Sequence, residues 1–527
     1  MPEEQTFTLS IDGGWNPEAG PMAPTRISGD NLVSVPWLVE AQNLIYSADG
    51  WLRKMPGASN VNTTATGASD NVMGIFDYHR STASGDPVQR VVVYADTQIY
   101  SWTPGETTLT SIATGRVADV MPAFEIMNDV LVLAETSTTD VPATWNQTTF
   151  ADLGGSPPNF SFHIQHKDRM WAAGVDSNKS RLYYTVLSNQ ADWTGAGSGS
   201  IDISPDDGDV ITGLASHKNR LVVFKGPNRG RIIFITGSAP TGSDAFAQVP
   251  FIRGIPCANH QSIVPYRDDL LWWSDLGIHS LVATAAFGDF NEAFISAAIQ
   301  GYFNSQLNHS RFRFVWGQNF VPGGSVLWTV ARAGSTDNNA ILLWDYRFTP
   351  ARFALWPAAS VASIGIVRDT NRETVPWYGT YTGRVMRGNR NARNFGGTAY
   401  NIDALFPYLT FGDPTYDKTL EGGRIGVSPK GDTSFTFGWQ RDGATQQTES
   451  VTQGGVPTLG ASSDQFVLDT SPLGGGRYVD RFPTTLAGSF KALQIELEQG
   501  TVDVDFEPHS LALSLTGAGI GRTAVLG

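Results

Sequence analysis

The sequence predicts an all-β protein: a β-propeller of six or seven small blades with an additional C-terminal antiparallel β domain. Three observations carry this. Charged residues are only 16% of the 527, against ~25% in an ordinary soluble chain, while Gly (56), Pro (29), Phe (28) and Trp (15) are plentiful. Strands joined by tight turns have that composition. Next, one hairpin signature recurs in "MNDVLVLAE" (127–135), "HKDRMWAAG" (166–174), "HKNRLVVFKG" (217–226) and "YRDDLLWWSD" (266–275). Its turn markers Asn128, Asp168, Asn219 and Asp268 stand 40, 51 and 49 residues apart. A hairpin returning at that period is what one small sheet per blade leaves in a sequence. Finally, the last hundred residues abandon this period and alternate apolar with polar side chains, the mark of half-buried antiparallel strands.

Taken in order, residues 1–72 read as an extended N-terminal arm and entry hairpin. Gly13-Gly14, Pro17, Pro21 and Pro24 break any periodic pattern there. In "EAQNLIYSADGWLRKMPGASN" (40–60), Asp49-Gly50 supplies a turn, Leu52 anchors a strand and Pro56-Gly57 directs the chain onward. Residues 73–398 are the propeller. Each marker hairpin is followed by another strand-like run, such as "SRLYYTVLS" (180–188) and "GRIIFITG" (230–237), and fainter copies lie at 88–102, 323–334 and 371–379. The segment "NEAFISAAIQGYFNSQLNHS" (291–310) interrupts the rhythm with apolar residues at helical spacing and Asn291 as a cap, so a helix or two short turns are expected. Residues 399–527 form the C-terminal domain. Leu493, Ile495 and Leu497 face one way, Val502, Val504 and Phe506 repeat the alternation, and Leu511, Leu513 and Leu515 do so again, while 441–480 reads as a long exposed loop.

A net charge of −14 argues against a surface built to grip phosphate backbones. Cys257 is the only cysteine, which excludes an internal disulfide and a cysteine-based zinc site. The first thirty residues lack a signal-peptide core and no window approaches 18 apolar residues, so the chain is expected to start soluble in a cytoplasm.

The sequence offers no catalytic, cofactor-binding or metal-ligating residue set, and no cofactor is expected. HExxH, GxxxxGK[ST], GxGxxG and GxSxG are absent. His163 and His166 are the only close histidine pair; three residues apart on a strand they point to opposite faces, which suits turn-flanking residues better than a shared metal. "SPDDGDV" (204–210) gathers carboxylates around Gly208 but lacks the remaining ligands of a calcium loop, so a tight turn is expected. Trp272-Trp273 suggests either a carbohydrate platform or core packing, with the core favoured. The five N-x-[ST] sites, Asn62 and Asn308 among them, read as chance.

The opening stretch adds a resemblance. A short arm, then Gly50, Leu52, Arg53, Pro56 and Gly57 in the pattern G-x-L-R-x-x-P-G, then a run of hairpins, resembles the tail hub or nozzle (tail tubular) proteins of short-tailed bacteriophages. Segments 166–193, 206–237, 251–281 and "FGDPTYDKTLEGGRIGV" (411–427) are similar in layout to successive parts of that family. The resemblance implies a structural virion protein of the tail, not an enzyme. It would form a ring-shaped homohexamer below a dodecameric head-to-tail adaptor and a conduit for genome ejection. Its implied partners are the adaptor, tail fibres or spikes, double-stranded DNA passing without tight binding, and the host envelope during infection. The alternative is a glycan-binding or glycan-hydrolysing β-propeller, which requires carboxylates and aromatics converging at the propeller's centre.

Overall fold

The computed structural model describes residues 4–23, 26–28, 31–81, 88–135, 140–283, 294–369, 372–427, 433–453, 478–481, 488–500 and 504–517. Strands hold 52% of the chain and helices 6%, so the class is all-β. The chain divides into two compact units. One comprises 60–341 and 360–388; the other comprises 1–59, 342–359 and 389–527.

The first unit is the propeller. Its blades are successive antiparallel sheets: blade 1 (Val72–Arg80, Val88–Ala95, Gln98–Trp102, Thr110–Thr114), blade 2 (Pro122–Met127, Val130–Glu135, Ala143–Trp145, Phe150–Asp152), blade 3 (Phe162–His166, Arg169–Ala173, Arg181–Tyr184, Gly199–Asp202) and blade 4 (Val210–His217, Arg220–Gly226, Arg231–Thr236, Ala247–Arg253). Blade 5 has three strands (Val264–Tyr266, Asp269–Trp273, Ile278–Ser280), blade 6 opens with the hairpin Gly317–Phe320 and Ser325–Val330, and blade 7 is Ser363–Arg368, Thr374–Gly379 and Val385–Asn389. That makes seven blades among the described residues.

The recurring sequence signature is the inner hairpin of blades 2 to 5. Asn128-Asp129, Lys167-Asp168 and Lys218-Asn219 all sit at positive φ between the closing pairs Met127↔Val130, His166↔Arg169 and His217↔Arg220, and Arg267 does so in blade 5. Two consecutive left-handed residues make the turn whose twist matches the strands it joins, and Asn and Asp tolerate that conformation best.

The first strand of each blade faces the axis. These strands touch in chain order from blade 1 to blade 4, continue through the turn His260–Ser262 to blades 5, 6 and 7, and blade 7 returns onto blade 1. Close approach at the axis is possible because a glycine stands in several inner strands. A Cβ on Gly74 would lie 2.3 Å from the Pro122 ring, and one on Gly365 would lie 2.8 Å from the Ile75 carbonyl oxygen. The ring closes by joining the unit's beginning to its end. Val61 donates its N–H to the Val385 carbonyl, and the Asn62 side chain bonds Gly383 and Val385. The same seam buries Val91, Val93, Trp102, Val367, Val375 and Trp377 in one cluster, with Trp102 and Trp377 edge to face at 4.9 Å.

The expected helical interruption is present in part. Asn291 lies outside the described residues; beyond it come two short 3-10 turns, Ala297–Ile299 and His309–Phe314, around a seven-residue helix, Gln300–Gln306. Phe303 and Phe312 lie on Trp273 at 5.0 and 5.4 Å. This insertion covers the second face of the blade 5 strand, which explains why both Trp272 and Trp273 are fully buried.

The second unit draws on both chain ends. Gln5–Ile11 pairs antiparallel with Pro508–Gly517 (Phe7↔Leu513) and parallel with Leu32–Val35, and Pro508–Gly517 pairs with Lys418–Val427. A second sheet contains Glu40–Gln42, Ile402–Leu405 and Leu493–Gln499, the last joined to the hairpin Thr433–Arg441 and Gln447–Gln453. Residues read from sequence as a separate arm, 1–72, are thus shared: up to Ser59 they belong with the C-terminal strands, and from Asn60 with the propeller. Leu342–Ala359, read as propeller, is also anchored here, because Arg352 donates to the carbonyls of Gly50 and Ile11 and the Trp356 indole to that of Leu44.

Leu493, Ile495 and Leu497 are buried in alternation as expected, and so are Leu511, Leu513 and Leu515. Two local expectations need correction. Residues 504–507 are not strand, though Phe506 is buried against Phe435 at 5.0 Å; Val502 lies outside the described residues. The stretch 441–480 is not simply loop, since Gln447–Gln453 pairs with Thr433–Arg441 and Tyr478–Arg481 pairs with Lys418–Val427. Its Gly/Gln/Thr-rich composition concealed a hairpin partner. Residues 454–477 lie outside the description.

Candidate functional site

Two cavities lie along the propeller axis. The first, about 450 Å³, is walled by the inner strands of all seven blades; Phe76, Phe124, Ile164, Leu214, Val264 and Ile366 give it an apolar lining. Phe76 and Phe124 stack at 5.4 Å with 20° between their planes. The second, about 400 Å³, includes Asp119, Met121, Asn259 and Arg313. His260 and Gln261 line both, so the turn carrying them stands between the two. Gln261 reaches across to the Pro122 carbonyl at 2.7 Å, and the His260 ring stacks on Phe162 and accepts from the Leu214 N–H. Burial pushes His260 down to about 4, so it is neutral at physiological pH.

The chemistry of this axis is sparse. Among the described residues lining the first cavity there is no Asp, Glu, Lys or Arg, and the second has one carboxylate, Asp119. General acid–base hydrolysis of a glycoside needs two carboxyl groups across the scissile bond, and the described residues lining these cavities do not include such a pair.

Each residue singled out from sequence has protein partners in the fold. His163 and His166 both lie on the inner strand of blade 3 and point apart, His163 to the Val132 carbonyl at 3.2 Å and His166 to the Ser216 hydroxyl at 2.8 Å. Burial pushes them down to about 3 and about 4. The stretch 204–210 is a turn, with Ser204, Asp206 and Gly208 at positive φ. Asp207 pairs at 2.8 Å with Lys225, which is wholly buried, and Asp209 accepts backbone N–H groups from Asn228, Arg229 and Gly230. Cys257 is buried, and burial pushes its thiol up to about 12. Asn62 is also buried, with its amide engaged.

The opening stretch is occupied by packing. Strands Leu44–Tyr46 and Leu52–Lys54 form a hairpin across Asp49-Gly50, with Gly50 at φ 86°. Arg53 and Arg393 both bind Asp505, and Lys54, buried, donates to Gln499 at 2.9 Å. Burial would raise the Asp505 carboxyl, but the two guanidinium groups hold it well below its usual range. A Cβ on Gly57 would lie 2.2 Å from the Asn394 carbonyl oxygen.

Two polar groupings were not legible in the sequence. Tyr94, Arg116 and Glu135 meet in a buried network that lines neither cavity. Their separation along the chain, 94 to 135, hides the association. In the second unit Asp403, Glu496 and Glu498 bring carboxylate oxygens within 4.8 Å of one another. Pairing Asp403 with Glu498, and Leu405 with both Glu496 and Glu40, sets four acids on adjacent strands. Burial, then Glu40, pushes Asp403 up to about 8. These are the described carboxylates grouped closely enough to hold a metal ion.

The fold is that of a β-propeller. Neither a protein-family model nor a curated protein matches the sequence. Among solved structures, the chain is similar to YCF48 bound to D1 peptide, with TM-score 0.37 and 7% identity over 62% of this chain and 94% of that one. It is also similar to the extracellular domain of a hybrid two-component system from B. thetaiotaomicron, with TM-score 0.26 and 11% identity over 63% of this chain and 39% of the other.

Proposed function

We propose that this protein is a structural component of a bacteriophage virion, the tail hub or nozzle beneath the head-to-tail adaptor. In this reading it forms a homohexameric ring through which the genome leaves, and it serves as a platform for tail fibres or spikes. The reading rests on the succession of segments similar to that family, beginning with Gly50, Leu52, Arg53, Pro56 and Gly57. The observation that carries it over the competing glycan reading is the propeller axis. Its main cavity is lined by no charged side chain among the described residues, and the cavity beyond offers a single carboxylate. A glycan platform fares no better: Trp272 and Trp273 are buried, and the large exposed hydrophobic residues include no tryptophan.

An axis interrupted by His260 and Gln261 has no bore for a duplex, so a DNA conduit built from this chain lies between subunits. Such a ring closes when each subunit carries two different complementary faces. Imaging of intact virion tails tests the proposal. A six-fold ring of this chain around the tail axis is the expected result; a single axial copy, or a three- or five-fold ring, overturns it.

A further inference from the structure

The nozzle reading assigns no role to the turn between the two axial cavities, and what this turn does stands independently of that reading. We infer that His260 is a proton-operated latch, which holds the axis closed in its neutral form and releases it when the ring takes up a second proton.

The latch rests on one directed hydrogen bond. The inner strand of blade 4, Val210–His217, has a neighbouring blade strand on one side only, Arg220–Gly226. Within it, Leu214 donates its N–H to Nδ1 of His260 at 3.3 Å. A ring nitrogen that accepts a hydrogen bond carries no proton, so the imidazole is neutral with its proton on Nε2. A second proton, on Nδ1, would set two donors against each other, and the bond does not survive that. Leu214 is 1% exposed, so its amide loses a partner where water does not readily replace it.

The neighbouring contacts make the ring a closing element. It stacks on Phe162 of blade 3 at 5.2 Å with 18° between the planes. Beside it, the Gln261 amide bonds the Pro122 carbonyl at the start of blade 2. Both residues line both cavities. The backbone beneath them is held separately, since the Asn259 side chain accepts from the Ser262 N–H and donates to the Phe312 and Val315 carbonyls. Release therefore swings two side chains, joins the cavities and leaves the turn in place.

The surroundings give a charged ring little support. His163 faces it from blade 3, and the two imidazoles disfavour each other's charge. Asp119 and Arg313 share the second cavity with it, and Asp119 is already bonded to Asn71. His217 stands at the far end of the blade 4 strand, Cys257 precedes the ring on its own segment, and blade 6 presents the uncharged Gln318 and Asn319. Burial holds the closed ring at about 4, against ~6.5 for a solvated imidazole. Its contribution to closure is whole above about 6.5 and fades as pH falls toward 4. Between pH 7 and pH 4.5 the balance tilts toward opening by roughly 60-fold.

Hydrogen exchange of the whole chain tests the latch, read by mass spectrometry at pH 7 and pH 4.5 and corrected for intrinsic chemical rates. Protection at Leu214, in peptides spanning 210–217, should drop roughly 60-fold at the lower pH. The amides of Leu221, Val222, Val223 and Phe224 on the paired strand should stay protected. His260→Asn places an uncharged acceptor where Nδ1 stands and should abolish the drop at Leu214. The parent decides by itself even if that variant does not fold. Unchanged protection at Leu214, or a loss shared equally with residues 221–224, would overturn the latch, and so would a folded His260→Asn variant that loses protection as the parent does.

Discussion

Replacing Asp403 by Asn should stabilise the protein above neutral pH and do nothing near pH 4. Asp403 lies opposite Glu498 across the sheet, with Glu496 and Glu40 paired on neighbouring positions. Burial and these like charges push its carboxyl up to about 8, from about 3.9 in an unfolded chain. The native state therefore holds a proton that the unfolded state releases. Stability is undiminished below about pH 4, falls as pH rises toward 8, and is lowest above it. A displacement of about four units at ~1.4 kcal/mol each sets a ceiling of roughly 5.5 kcal/mol. The side chain is only partly buried, and solvent screening reduces the realistic effect to about 1–2 kcal/mol. Asn keeps the shape and removes the charge. Thermal unfolding at pH 8.5 should rise by about 2–6 °C in Asp403→Asn, with no difference from the parent at pH 4. The assay is paired melting curves of the two proteins across that range. A variant that melts lower than the parent at pH 8.5, or by the same margin at both pH values, would refute the reasoning.

The propeller should respond to acid in the opposite sense. Burial holds His163 at about 3, below the unfolded ~6.5, so its contribution is present above about 6.5 and lost as pH falls toward 3; His163→Gln should flatten the acid limb of a stability–pH curve by up to one proton. Asp505→Asn should cost about 3–5 kcal/mol in denaturant unfolding, because Arg53 and Arg393 lose their shared partner in a largely buried setting. Trp377→Ala should cost a similar ~3–5 kcal/mol by emptying the seam between blades 7 and 1, whereas an equal loss from the exposed Leu187→Ala would show that closure has no special weight. On linear duplex DNA, the isolated protein should show only weak binding, consistent with its −14 charge; salt-sensitive sub-micromolar affinity would contradict a conduit that lets DNA slide.

Much of this architecture was legible because its signals are local. An Asn or Asp beside another turn residue, followed by a buried run, marks a hairpin wherever it occurs, so Asn128, Asp168 and Asn219 announced the blades and their period announced a propeller. Alternation at 493–497 and 511–515 likewise announced strands covered on one face. Other features needed distance. The strand at 447–453 hid in a polar composition because its partner, 433–441, rather than its own hydrophobicity, holds it in place. Both tryptophans of blade 5 are buried because Trp272 packs on Phe224 while residues 297–314 return to cover Trp273 on the other face, a contact no periodicity encodes.

The sequence by itself determined the all-β class, the repeated inner hairpins, the lack of a metal or nucleophile motif and the structural nature of the 204–210 turn. Only the tertiary structure decided that the first 59 residues belong with the last 139, that Arg53 and Arg393 converge on Asp505, and that His260 and Gln261 stand between two axial cavities. The physical reason is range. Backbone twist and side-chain alternation act over two to ten residues, whereas ion pairs, cavity walls and ring closure form between residues hundreds of positions apart, which only the folded chain brings together.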